Sequence, residues 1–265
     1  MLEVNSYNRL QSEPSASNQA IHLEPDLTPT DLSGSSVARN SLILLRRAIE
    51  TDGLNLTQTG NLSRAVVAEM YEVIELPNFD KDELFRFHKI INEGDFLFLH
   101  FLRVLMQAAK LFRKSHGTLV LTRLGKRMLA PEQYGALQAL LFHIAFWHIN
   151  LAYFDRRPLE SWPQSDVGVV LWSLSASANE WLPRETLTRL CTIPVIGVLE
   201  SAWDLGSSAM EARILRFLMC FGLVEYRSET ISTSDFLKRH LYRKTPLFDR
   251  FLKFSVQIER PDTRH

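Results

Sequence analysis

The sequence predicts a mainly α-helical protein with two winged-helix-like modules, each carrying a short β-hairpin, around a central helical layer. Three observations lead there. Apolar residues recur at helical spacing through most of the chain. The helical run Asp95–Phe112 leads into two short β-capable runs around Lys114-Ser115-His116-Gly117, and a degenerate copy of that order recurs near the C-terminus.

The chain has 265 residues and an apolar fraction of 46 %, enough for a buried core. Thirty Lys and Arg balance thirty Asp and Glu, so the net charge is zero and any electrostatic partner must be met by a local patch. Cys191 and Cys220 are far apart in sequence and belong to no C-x-x-C pair. They read as buried apolar residues of a cytoplasmic protein, and neither a metal site nor a cofactor is expected.

Residues 1–36 are acidic (Glu3, Glu13, Glu24, Asp26, Asp31), rich in Ser, Pro and Asn, and lack the apolar run of a signal peptide. Such a stretch is expected to be a flexible tail, because it buries too little to offset its ordering entropy. Residues 37–130 form the first predicted module. A helix over Ala38–Thr51 carries Leu42, Leu44, Leu45 and Ile49 and stops at Asp52-Gly53. Asn61 is placed as the N-cap of the next helix, which Pro77 ends. A shorter helix over Asp80–Asn92 follows. Asp95–Phe112 is apolar almost all round, leaving one polar stripe of His100, Arg103, Gln107, Lys110 and Lys114. The hairpin comes next, and Thr122 caps a helix through Leu129.

Residues 131–180 are read as central helices. Ala136–Phe154 is nearly all apolar, but Gln138, His143, His148 and Asn150 interrupt it, so it reads as a buried helix and no membrane contact is expected. Residues 181–258 form the second module: helices from Pro183 and from Ser207 or Ser208, strands at 222–226 and 241–243, and a closing helix with Pro246 at its first position. Leu111-Phe112 then corresponds to Leu223-Val224, and Thr122 to Thr245.

Leu56-Thr57-Gln58-Thr59-Gly60-Asn61-Leu62 and Gly117-Thr118-Leu119-Val120-Leu121-Thr122-x-x-Gly125 together resemble a helical region of uncharacterised bacterial proteins. That region is found with SEC-C motifs or with domains named after a plasmid open reading frame. The resemblance spans about residues 38–129 and implies a winged-helix-like fold in a bacterial protein. The cysteines of a SEC-C zinc motif have no counterpart here.

Two functional readings remain open. In the first, the wings contact nucleic acid. Between Phe96 and Ala130 the only charges are Arg103, Lys110, Arg113, Lys114, Arg123, Lys126 and Arg127, and the second hairpin adds Arg243 and Lys244. Such cations can neutralise phosphates and release counterions, which makes DNA the expected partner. Glu93 and Asp95 oppose it, placing acids where the recognition helix would meet DNA. In the second reading the chain is a protein-interaction adaptor, binding a partner or itself. No P-loop, G-x-S-x-G or H-E-x-x-H pattern occurs, so no catalytic residue is assigned. His143 and His148 lie five apart on an apolar helix, where they would point to different faces and make a poor metal pair. Asp155, Arg156, Arg157 and Glu160 read as a surface ion-pair cluster.

Overall fold

The structure is a computed structural model, mainly α-helical with small antiparallel sheets, and it describes residues 2–15, 17–18, 20–76, 90–155, 157–199, 204–230 and 238–258. Contacts divide the chain into two units, Pro25–Ile149, and Met1–Glu24 with Asn150–His265. The expected central layer is therefore split at Asn150. The predicted helix over Asp80–Asn92 falls mostly on residues 77–89, outside the described residues.

The N-terminal segment departs from the expected tail. Val4–Gln11 is helix α1, and Ile21–Leu23 is strand β1, which pairs antiparallel with Leu252–Phe254 near the C-terminus. Its few apolar side chains suffice because they enter a core built by the rest of their unit. Leu10 is fully buried, Ile21 is buried, and the Gln257 amide donates to Ser6 Oγ at 2.9 Å. Average polarity missed this, since strand pairing satisfies the backbone whatever the composition.

In the unit 25–149, α2 (Ser36–Glu50) is capped by Ser35, whose Oγ accepts from the Ala38 amide at 3.1 Å and donates to buried Gln138 at 2.9 Å. Asp52 and Gly53, both at positive φ, turn the chain into β2 (Leu54–Asn55). Helix α3 (Arg64–Val73) starts from Ser63, whose Oγ accepts from the Val66 amide at 3.4 Å. Asn61, the expected cap, lies ahead of it because Leu56 and Leu62 bridge across the intervening loop. Helix α4 (Leu97–Ala108) buries Leu99, Phe101, Leu102, Leu105 and Met106. Strands β3 (Phe112–Ser115) and β4 (Thr118–Leu121) and the short helix α5 (Arg123–Arg127) follow. The sheet order is β2-β4-β3.

The apolar stretch expected as one buried helix is broken up. Helix α6 (Tyr134–His143) passes into a π-helical turn, Ile144–His148, and the chain resumes as a 3-10 turn over Leu151–Phe154 in the other unit. Among the described residues no helix is long and apolar enough to cross a membrane.

The second unit repeats the topology of the first. It comprises α7 (Val167–Ser177), β5 (Leu182–Pro183), α8 (Arg184–Cys191), and α9 (Leu205–Met210) running through a π turn into α10 (Arg216–Cys220). Strands β6 (Val224–Thr230) and β7 (Lys238–Lys244), α11 (Pro246–Phe251) and β8 (Leu252–Phe254) complete it. The sheet order β5-β7-β6 matches β2-β4-β3, and so does the register. Leu54 faces Leu119 as Leu182 faces Tyr242; Phe112 faces Leu121 as Val224 faces Lys244. The expected pairing of Leu111-Phe112 with Leu223-Val224 follows directly.

Asp155 is not at the surface. It meets Arg213, whose side chain is fully buried, at 2.7 Å, and the guanidinium also donates to the carbonyls of Leu159, Glu160 and Trp162. Five hydrogen bonds thus consume this cation and fix the loop after residue 155. Arg156 lies outside the described residues.

α1 packs on α7 so closely that a Cβ on Gly168 would stand 2.0 Å from the Leu10 carbonyl oxygen. Gly168→Ala is expected to destabilise the protein by about 1–3 kcal/mol through overpacking. Chemical denaturation checks the loss, and hydrogen exchange should show residues 4–11 losing protection first.

Candidate nucleic-acid interface

Each unit turns from its long helix into its hairpin by the same device. Lys110 (φ 57°) and Gly222 (φ 74°) adopt the left-handed conformation that ends a helix. The Leu111 amide donates to Met106 O and the Leu223 amide to Leu218 O, both at 2.9 Å. A threonine closes the other side: Thr122 Oγ1 donates to Lys110 O, and Thr245 Oγ1 to Gly222 O, both at 2.7 Å. The Thr122 and Thr245 amides return to Leu111 O and Leu223 O at 3.0 and 2.9 Å.

In the first hairpin His116 and Gly117 are both at positive φ, as a two-residue connection of right-twisted strands requires. Cross-strand partners share a face. Phe112 and Leu119 anchor one face in the core, and Lys114, opposite Leu119, extends over the loop so that a Cβ on Gly60 would lie 2.5 Å from its Nζ. Arg113 and Ser115 take the other face, opposite Val120 and Thr118. There a groove of about 530 Å³ is lined by Ile49, Asp52, Arg113, Ser115, Val120 and Lys126, among others. Helix α5 approaches the hairpin root through Gly125, where a Cβ would stand 2.4 Å from Leu111 O, and this turns Arg123, Lys126 and Arg127 outward.

Six of the nine predicted residues, Lys110, Arg113, Lys114, Arg123, Lys126 and Arg127, are therefore exposed within one short span of one unit. Their side chains make no hydrogen bond or ion pair among the described residues. The other three are engaged. Arg103 Nε donates to Glu93 at 2.6 Å and Nη1 to Gln107 at 2.5 Å, with the side chain 11 % exposed. Arg243 pairs with Glu225 at 2.7 Å and lies 4.9 Å from the centroid of the Trp181 ring. Lys244 Nζ donates to Ser175 O at 2.7 Å and to Asp249 at 2.9 Å. The sequence shows these charges but not what answers them.

Glu93, expected to face DNA at the start of the recognition helix, has a fully buried side chain. Burial works to raise its carboxyl pKa. Hydrogen bonds from His100 at 2.6 Å, the Leu62 amide and Arg103, together with the Arg103 charge, outweigh that and hold it below the ordinary carboxylate value. A similar cluster stands in the second unit. There burial is again opposed, by His240, Tyr242 and Arg184 around Glu211, whose carboxyl is also lowered. Sequence reasoning missed the Glu211 cluster because its members are distant in the chain, and the Glu93 cluster because the polar stripe with His100 and Arg103 reads as a solvent face. Cys191 and Cys220 are free, and burial pushes both thiols up to about 12.

His143 and His148 also depart from expectation. The π turn brings their Nε2 atoms to 3.2 Å. The tell-tale in sequence is only the spacing, which means one thing on an α-helix and another on a π-helix.

Glu93→Gln tests the buried network. A lowered native pKa contributes stability that is complete above the unfolded carboxylate value near 4.5 and is lost as pH falls through the native one. The substitution should cost about 3–5 kcal/mol at pH ~7, as when a buried ion pair loses one member. The difference from the parent should shrink steadily below pH ~4.5, in urea unfolding curves collected across that range.

Residues 33–135 match the Y4jL N-terminal domain family. No curated protein and no solved structure matches the chain. The matched span covers the first helix–hairpin–helix module and closes just past the 3-10 turn Pro131–Gln133.

Proposed function

We propose that the chain is a non-enzymatic, nucleic-acid-associated protein with tandem winged-helix modules, in which the first wing and the helix behind it contact phosphates. The helix–strand–helix…helix–hairpin order and the sheet orders β2-β4-β3 and β5-β7-β6 support the winged-helix reading. The observation that carries the functional reading is the set of six exposed cations, without a partner among the described residues, on β3, the α4 terminus and α5 in a chain of zero net charge. Contact is with backbone rather than bases. The α4 side chains best suited to base edges, Arg103 and His100, are bound to Glu93.

A protein-binding role is the second reading, favoured for the second module alone. Of its hairpin cations Arg227, Arg243 and Lys244 are paired internally and Lys238 and Arg239 are exposed, while Leu190, Val195 and Ile196 are exposed as well, Ile196 almost completely.

Fluorescence anisotropy with mixed-sequence duplex DNA at two salt concentrations separates the readings. Binding should weaken steeply with salt, with a logarithmic slope of roughly −0.9 per phosphate neutralised. Changing Lys114, Arg123 and Lys126 together to alanine should flatten that slope by about 3 and weaken binding alike on every sequence. Arg243→Ala should leave it unchanged. Absence of binding at low salt sinks the nucleic-acid reading; undiminished binding by the triple variant sinks the site.

A further inference from the structure

On an α-helix, side chains five residues apart diverge by about 140°. A π-helical turn has a longer repeat and bonds i to i+5, so it lays residue i+5 beside residue i. Ile144–His148 is such a turn, closed by the Ile149 amide donating to Ile144 O at 3.1 Å. Its consequence is that the rings of His143 and His148 stand with centroids 5.1 Å apart and Nε2 atoms 3.2 Å apart.

That separation has a chemical meaning. Two metal–nitrogen bonds of about 2.0–2.1 Å at a tetrahedral angle place the nitrogens roughly 3.3 Å apart. The two Nε2 atoms are thus at the distance at which both bind one ion, and little movement is needed for it to enter. We propose that His143 and His148 form a two-histidine chelate for a borderline divalent transition metal of the zinc type. Imidazole nitrogens suit that class, whereas a calcium or magnesium site is built from oxygens.

The surroundings fit the role. Trp147 stacks on His143 with ring centroids 5.7 Å apart and planes 29° from parallel, and Trp147 in turn meets Phe142. Half-buried His143 is thereby held on a rigid aromatic base, while His148 is exposed. The remaining coordination positions are left to water or to a further ligand. The π turn itself gives α-helical geometry a costly interruption, and such interruptions frequently mark functional sites.

Calorimetric titration of the full chain with zinc tests the proposal. The expected result is one ion per chain, with binding weakened at least about ten-fold in His143→Ala and in His148→Gln, since each removes a ligand. His116→Ala, in the hairpin turn, should bind as the parent does. His148 is exposed, so its variant should keep the parent circular-dichroism spectrum and melting behaviour; this separates loss of a ligand from loss of fold. The proposal is overturned if the parent takes up no zinc, or if both histidine variants bind it undiminished. Either outcome would leave the pair as a ring-to-ring hydrogen bond.

Discussion

Everything that positions the basic hairpin depends on one turn, the left-handed residue at the end of each long helix. A helix leaves its last carbonyls unsatisfied. At Lys110 and at Gly222 the chain reverses sharply enough for the turn residue's own amide and the next one to reach back to those carbonyls. The next residues then emerge already extended, and the threonine that closes the hairpin fixes its root to the same turn. The hairpin's register and the direction in which its charges project are consequences of that closure. Lys110 holds the conformation without glycine's freedom, at a cost of about 1–2 kcal/mol, and its helix end thereby carries a cation at the surface.

The same scaffold has been given different surfaces. In the unit 25–149 the hairpin and the helix after it present cations with no partner among the described residues. In the other unit the hairpin pairs three of its cations internally, Arg243 with Glu225 across the sheet, Arg227 with Glu229 along one strand at 2.8 Å and Lys244 with Asp249, while Arg227 and Arg243 both lie over Trp181. Paired charges in a sheet satisfy one another and offer little attraction to an external phosphate. Duplication of a fold therefore does not imply duplication of its binding surface.

Buried ion networks have a different role. Glu93 gathers the polar side of α4 inward, and Arg213 ties three loop carbonyls and Asp155 to the helical run of its unit. Neither is a simple gain in stability, since desolvating the charges offsets most of their attraction. What they supply is uniqueness: an isolated buried charge is costly enough that only the arrangement satisfying every donor persists.

The sequence by itself determined helices α2 and α4, the two hairpins, the capping role of Thr122, the position of Pro246 and the correspondence of Leu111 with Leu223, because each follows from periodicity or from backbone chemistry within a few residues. It also determined where the positive charge lies along the chain. Tertiary structure alone decided which of those cations are available. Arg103 and Lys244 are answered by Glu93 and by Ser175 and Asp249, through contacts between separate elements. It alone incorporated the polar N-terminal segment, whose strand pairs with residues about 230 positions away. It likewise decided that His143 and His148 face each other. Composition is a sum and periodicity is local, whereas pairing, burial and the winding of a single helical turn depend on which distant groups arrive at the same place.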